Sequence, residues 1–184
     1  MSKYLIAALA LSTAAVAAPA MAQDADKAFS GVHVEALGGW DRVQGENQHD
    51  DGFLYGVGAG YDIRSGNAVF GVEGEVNDST QKQSVGGLTE KAGRDLYAGA
   101  RIGYVVGGNN LLYAKAGYTN ARFTVDGTDT GVTLAQGNLD GWRAGAGIEH
   151  QLSNNMFVKA EYRYSNYEQG VSRNQVLGGV GIRF

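Results

Sequence analysis

The three histidines and the serines are the residues from which hydrolytic chemistry could be assembled in this chain. A His-x-Ser pair on a strand lets the imidazole take the hydroxyl proton and turn the serine into a nucleophile. The nearest spacing here is Arg163-Tyr164-Ser165, where a guanidinium stands in place of the base and cannot accept a proton at neutral pH. His33 opens the first alternating segment, His49 lies in a polar stretch and His150 closes the sixth segment; none has a serine two residues on. Glu46, His49, Asp50 and Asp51 carry ligand atoms of the sort calcium and magnesium prefer, but at a spacing that matches no calcium loop, and they are read as a solvated loop. Gly86-Gly87 and Gly107-Gly108 belong to no strand-loop-helix unit of the phosphate-binding type and are read as turn glycines. No catalytic, cofactor or metal site is expected.

What the chain does carry is charge of both signs at regular intervals. Glu35, Asp62, Glu73, Glu75, Glu149 and Glu161 stand against Arg101, Lys115, Arg143, Lys159, Arg163 and Arg183, six against six. Their positions are set by a period of two: apolar residues alternate with polar ones or glycine, and 3.6-residue spacing is hard to find. Val32 to Trp40, Phe53 to Ile63, Ala68 to Val76, Leu96 to Tyr104, Leu112 to Thr119, Trp142 to Glu149, Met156 to Ser165 and Val176 to Phe184 read as eight strands, each with one apolar face. The twelve charges all fall on the other face, together with many glycines. The links near 64–67, 106–110 and 152–155 are short and rich in Gly and Asn, as tight hairpin turns require. Those near 43–52, 77–93, 124–139 and 167–174 are longer and polar and read as loops.

An even strand count with short turns at one end and long loops at the other predicts an all-β fold, an eight-stranded antiparallel up-and-down transmembrane β-barrel. A soluble eight-stranded barrel would bury the apolar face inside instead, and the aromatics separate the two readings. Trp40, Phe53, Tyr55, Tyr118, Trp142 and Tyr164 fall at the long-loop ends of the apolar face, and Tyr61, Phe70, Tyr104 and Phe184 at the short-turn ends. Two rings at two depths are what membrane interfaces select. In a barrel this narrow the charged face is a crowded lumen, so the charges are expected to pair and close it.

Residues 1–22 read as a secretory leader: Lys3, an apolar stretch from Leu5 to Ala18, and Ala20-Met21-Ala22 as the cleavage site, leaving 23–184 as the barrel domain. The 29 glycines all lie after it, and the chain has no cysteine and a single proline, Pro19. No disulfide scaffold or thiolate metal site is possible, and no apolar run approaches the ~18 residues of a membrane helix. Lys3 leaves with the leader, so 14 basic residues face 19 acidic ones, which disfavours nucleic acid as a partner.

The segment Ala160-Glu161-Tyr162-Arg163-Tyr164-Ser165, followed by Ser172-Arg173-Asn174-Gln175-Val176-Leu177-Gly178-Gly179-Val180-Gly181-Ile182-Arg183-Phe184, resembles the small proteobacterial outer-membrane β-barrel family of Omp25-like and opacity-type proteins. The resemblance spans essentially all of 23–184. It implies residence in the outer membrane of a Gram-negative bacterium, contact with outer-membrane lipid and lipopolysaccharide, and delivery by the barrel assembly machinery through the terminal aromatic, Phe184. Nothing resembling the peptidoglycan-binding domain of larger OmpA proteins follows Phe184, so wall anchoring through such a domain is not expected. The function it implies is structural or surface-interacting, with four outer loops on a closed, ion-paired barrel and an extracellular ligand that the sequence does not name. A porin-like small-solute channel is the alternative, and a lipopolysaccharide-modifying enzyme of the lipid A deacylase kind, which needs the His-x-Ser pair, stands third.

Overall fold

The computed structural model describes residues 28–45, 48–79, 82–85, 88–127, 133–168 and 171–184. The expected leader, and the cleavage near Ala22, lie outside the described residues. Period-two alternation builds antiparallel strands in chain order: β1 Gly31–Gly45, β2 Gln48–Ser65, β3 Ala68–Ser79, β4 Lys82–Val85, β5 Leu88–Val106, β6 Asn110–Gly127, β7 Thr133–Gln151, β8 Met156–Tyr167 and β9 Ser172–Arg183. Each stave pairs with its sequence neighbours. β9 returns to pair with β1 from His33↔Arg183 to Gln44↔Ser172. Closure runs through β3 and β5, which pair from Ala68↔Tyr104 to Asn77↔Asp95. The result is a closed eight-stave barrel of β1, β2, β3 and β5 to β9. No helix among the described residues is long and apolar enough to cross a membrane.

β4 was not expected. It pairs with the start of β5, from Lys82↔Lys91 to Val85↔Leu88, inside what the sequence reads as a loop. The other long links are corrected in the same sense: β1 and β2 stay paired to Gly45↔Gln48, and β6 and β7 to Asp126↔Thr133. The apolar pattern lapses in those segments, but the backbone hydrogen bonds that define a strand do not depend on side-chain polarity. At ~3.3 Å per residue, β7 reaches about 30 Å along its length beyond Trp142. Two register shifts fall in these extended ends, between β5 and β6 at Ala92/Asp95 and between β6 and β7 at Val125/Asp126.

The short turns match the expectation. Gly66, Gly107 and Gly108 take left-handed φ values of 61°, 64° and 81°, which hairpin turns need and which only glycine adopts without strain.

The core is the lumen. Along β3, β8 and β9 buried inward residues alternate with exposed or half-buried outward ones, apart from glycines and strand ends. At the short-turn end Phe29 takes a left-handed φ of 65°, uncommon for a residue with a Cβ, and turns its ring into the barrel. There it packs with Val69, Val105, Leu111 and Tyr113 as an apolar plug. Leu37, Leu54 and Leu177 form a second cluster on β1, β2 and β9.

Candidate functional site

All twelve charges placed inward by parity are buried in the lumen. They do not form isolated pairs but a network of three linked layers. In the layer nearest the short turns, the Asp62 carboxylate accepts from both Nε (2.7 Å) and Nη2 of Arg101 and lies within ion-pair distance of Arg183 Nη2 (3.1 Å), with His33 Nδ1 3.2 Å away. Arg101 and Arg183 also share Glu149, at 3.3 and 2.8 Å. The Arg183 guanidinium lies over the rings of Phe29 and Phe157, 5.6 and 5.3 Å from their centroids, so the plug and the first ionic layer are continuous.

In the middle layer Lys115 Nζ contacts three carboxylates, Glu73 at 2.7 Å, Glu75 at 2.5 Å and Glu161 at 3.0 Å. Lys159 bridges Glu35 (2.7 Å) and Glu161 (3.4 Å). Arg163 donates to Glu75 and, through Nε, to Gln175 at 2.6 Å. Two tyrosines line this layer: Tyr113 donates to Glu161 at 2.7 Å, and the Tyr97 ring lies 4.7 Å from Lys115 Nζ and 5.3 Å from the Arg143 guanidinium. Cations over aromatic faces gain from the ring quadrupole, most where water is excluded.

The outer layer turns on Asp95, which accepts from Arg143 (2.6 Å), Arg173 (3.3 Å), Tyr167 (3.1 Å) and Thr119 (2.9 Å). Arg173 also forks onto Asp41. Asp41, Asp95 and Arg173 are absent from the six-against-six set, as is His33. With them the buried charges are eight carboxylates against seven Lys and Arg, with His33 beside Asp62. The missed signal was parity itself: each simply continues an odd-numbered inward row, that of β1 (33, 35, 37), β5 (97, 99, 101) or β9 (175, 177, 179). Asp41, Asp95 and Arg173 lie outside the apolar segments of β1, β5 and β9, whereas His33 lies within the first segment.

Glycine on the inward face supplies the room. A Cβ at Gly181 would meet the Phe157 ring, one at Gly147 the Tyr113 hydroxyl, and one at Gly60 the His33 imidazole.

The catalytic spacing considered at the outset is occupied by structural contacts. The Ser165 hydroxyl accepts from Arg143 Nε at 2.8 Å, and Arg163 is committed to Glu75 and Gln175. Asp51, one of the acidic loop residues, holds Arg42 in a two-point contact of 2.7 and 3.1 Å. The side chains of Glu46, His49 and Asp50 lie outside the described residues. Among the described residues no group of three or more His, Cys, Asp or Glu is disposed to hold a metal ion.

The aromatics fall where parity places them, outward. Trp40, Phe53, Tyr55, Tyr61, Phe70, Tyr104, Tyr118, Trp142 and Phe184 are exposed. Tyr164 is half-buried against Trp142, the two rings tilted with centroids 5.7 Å apart. Register sets Trp40 opposite Phe53 and Tyr118 opposite Trp142 towards the long ends, and Phe70 opposite Ile102 towards the turns. Tyr162 is equally exposed on the same face and was not counted with them; its hydroxyl donates to Asn174 at 2.7 Å.

A family model described as the outer membrane protein beta-barrel domain matches residues 7–184. The 25 kDa outer-membrane immunogenic protein of Brucella ovis is 30% identical over 151 residues, covering 79% of this chain and 72% of its own length. The 22 kDa outer membrane protein of Rhizobium leguminosarum bv. viciae is 31% identical over 154 residues, 76% of this chain and 70% of that one. Among solved structures, neisserial surface protein A aligns with a TM-score of 0.66 at 20% identity, over 84% of this chain and 98% of that one. Ail, the attachment invasion locus protein of Yersinia pestis, aligns with a TM-score of 0.64 at 18% identity, over 84% and 99%. At these identities the structural likeness is one of fold.

Proposed function

The chain belongs to the outer membrane protein beta-barrel domain family, and from that premise we propose a non-catalytic, non-conducting barrel with a structural or surface-interaction role. The observation that carries the reading is the lumen: ionic contacts run without a break from Asp62 through Lys115 and Glu75 to Arg143, Asp95 and Asp41, above the Phe29 plug. Eight staves leave an interior just wide enough for side chains, so a path for solutes would have to break several of these contacts at once. The aromatic rings then mark the two bilayer interfaces. The short turns face the periplasm, and the long strand ends meet lipopolysaccharide and whatever lies outside the cell. Phe184, exposed beside β1 with its N–H donated to Val32 (2.8 Å), is the terminal signal read by the assembly machinery.

Planar-bilayer recording of refolded protein tests this. The wild type should give only rare, small steps. Arg143→Ala, which removes a fully buried guanidinium from the outer layer, should give more frequent ones. Frequent, long-lived, large openings in the wild type, with the variant indistinguishable from it, would replace this reading by a small-solute channel.

A further inference from the structure

The outward face is not uniform. Every stave has a small residue near the middle of that face, such as Ala59 on β2 or Gly74 on β3, but on the three neighbouring staves β5, β6 and β7 two successive outward positions are alanine: Ala98 and Ala100, Ala114 and Ala116, Ala144 and Ala146. Towards the short turns this lowered wall deepens into a groove of about 520 Å³, floored by Ala114 and Ala146, with Ala68, Ile102, Tyr104 and Leu112 around it. Its lining is almost wholly apolar, and it opens on the face that meets lipid in this family.

The turn-side rim is polar, and its hydrogen bonds define what it can offer. The Tyr104 hydroxyl accepts from Asn67 Nδ2 at 3.3 Å, so its own proton is available to an acceptor. One outward row nearer the turns, Val106 stands opposite Asn110 and Asn110 opposite His150. Asn110 Nδ2 donates to the Val106 carbonyl at 3.3 Å, which leaves its Oδ1 to accept from His150 Nδ1 at 2.8 Å. With Nδ1 carrying the proton, the other nitrogen of the neutral imidazole, Nε2, is an acceptor. The rim therefore presents one donor hydroxyl at the groove and one acceptor nitrogen a row beyond it.

We propose that this groove is a binding site for one phospholipid whose headgroup carries a phosphate and a primary ammonium. One acyl chain lies on Ala114 and Ala146, a phosphate oxygen accepts from the Tyr104 hydroxyl, and the ammonium donates to His150 Nε2. The two polar groups are complementary to such a zwitterion and not to a headgroup without an N–H donor. A second copy of this chain is the other conceivable occupant, but a stable interface engages roughly 20 to 30 residues a side, and the groove is lined by nine. The location of the lipid, in the leaflet facing the periplasm, rests on the orientation proposed above; the binding itself does not.

Native mass spectrometry of the refolded chain, released from micelles holding equal amounts of a phosphoethanolamine and a phosphocholine lipid of the same acyl chains, tests the proposal. The quaternary ammonium of the second has no N–H to donate. The wild type should retain one phosphoethanolamine lipid about tenfold in preference, the scale of one hydrogen bond to a charged group. Tyr104→Phe and His150→Leu should each abolish most of that preference without disturbing the fold, since both side chains are on the outer surface. Ala146→Phe, which fills the groove, should lose the adduct, and Ala59→Phe, on the outward face of β2, should keep it. Equal retention of both lipids by the wild type overturns the proposal. So do a preference that survives Ala146→Phe and a protein dimer in place of the lipid adduct. None of these outcomes bears on whether the barrel conducts.

Discussion

Lys115 is the point on which the negative charge of the lumen converges, with Glu73, Glu75 and Glu161 all within 3.0 Å of its Nζ and the Tyr97 ring beside it. Burying a charge is tolerable only when partners replace water, and removing one partner leaves the others desolvated. Lys115→Met keeps much of the side chain's bulk and withdraws only the charge, so it isolates that effect. We expect a loss of ~3–5 kcal/mol, read as a lower urea midpoint with an unchanged slope. Adding Glu75→Gln should restore part of the loss, because the two sites are in contact and their effects do not add. Strict additivity of the two changes would mean that Glu75 is not held by Lys115.

Glycine has two different uses along a single strand. Gly71 and Gly74 are three residues apart on β3 and so face opposite sides of the barrel. Inside, a Cβ at Gly71 would collide with the Asp62 carboxylate and press on Arg101, whose contact anchors the first ionic layer. Outside, one at Gly74 would meet only the Tyr97 carbonyl at 3.6 Å, an ordinary contact. Gly71→Ala should therefore lower stability by ~1–3 kcal/mol, the range for overpacking, while Gly74→Ala leaves it unchanged or slightly raised. Urea titration followed by the heat-dependent gel shift of the folded barrel distinguishes them. Equal effects would show that the inward glycines are not there for room.

At the scale of the whole molecule the asymmetry between the two ends is the main structural fact. Three tight turns close one end, while β5, β6 and β7 run well past the Trp142 level at the other. If the long ends face outward from the cell, Asp51→Cys should react with an impermeant thiol reagent on intact cells and Asn109→Cys should not. Both side chains are exposed, and the chain has no cysteine of its own to compete. Labelling at Asn109→Cys alone would reverse the orientation, and with it the leaflet assigned to the lipid groove.

Alternation along the chain was sufficient to determine the strand type, the eight staves, the side on which each charge lies and the outward placement of the aromatics. Each of these follows from a period of two that a single strand carries by itself. The same rule, continued past the first polar residue, would also have reached Asp41, Asp95 and Arg173. What no local rule encodes is which carboxylate meets which cation. Lys115 on β6 meets Glu75 on β3 and Glu161 on β8, and Lys159 on β8 meets Glu35 on β1; none of these pairs sits on hydrogen-bonded neighbouring staves, and the contacts exist only because closure brings distant faces round one axis. Phe29 shows the same limit at the other extreme: a residue outside every alternating segment becomes the plug of the lumen because a left-handed turn before β1 aims it there. The groove, too, arises only where alanines from separate staves come level with Tyr104 and Leu112, since depth across a sheet depends on register and closure, which adjacent residues in one strand do not determine.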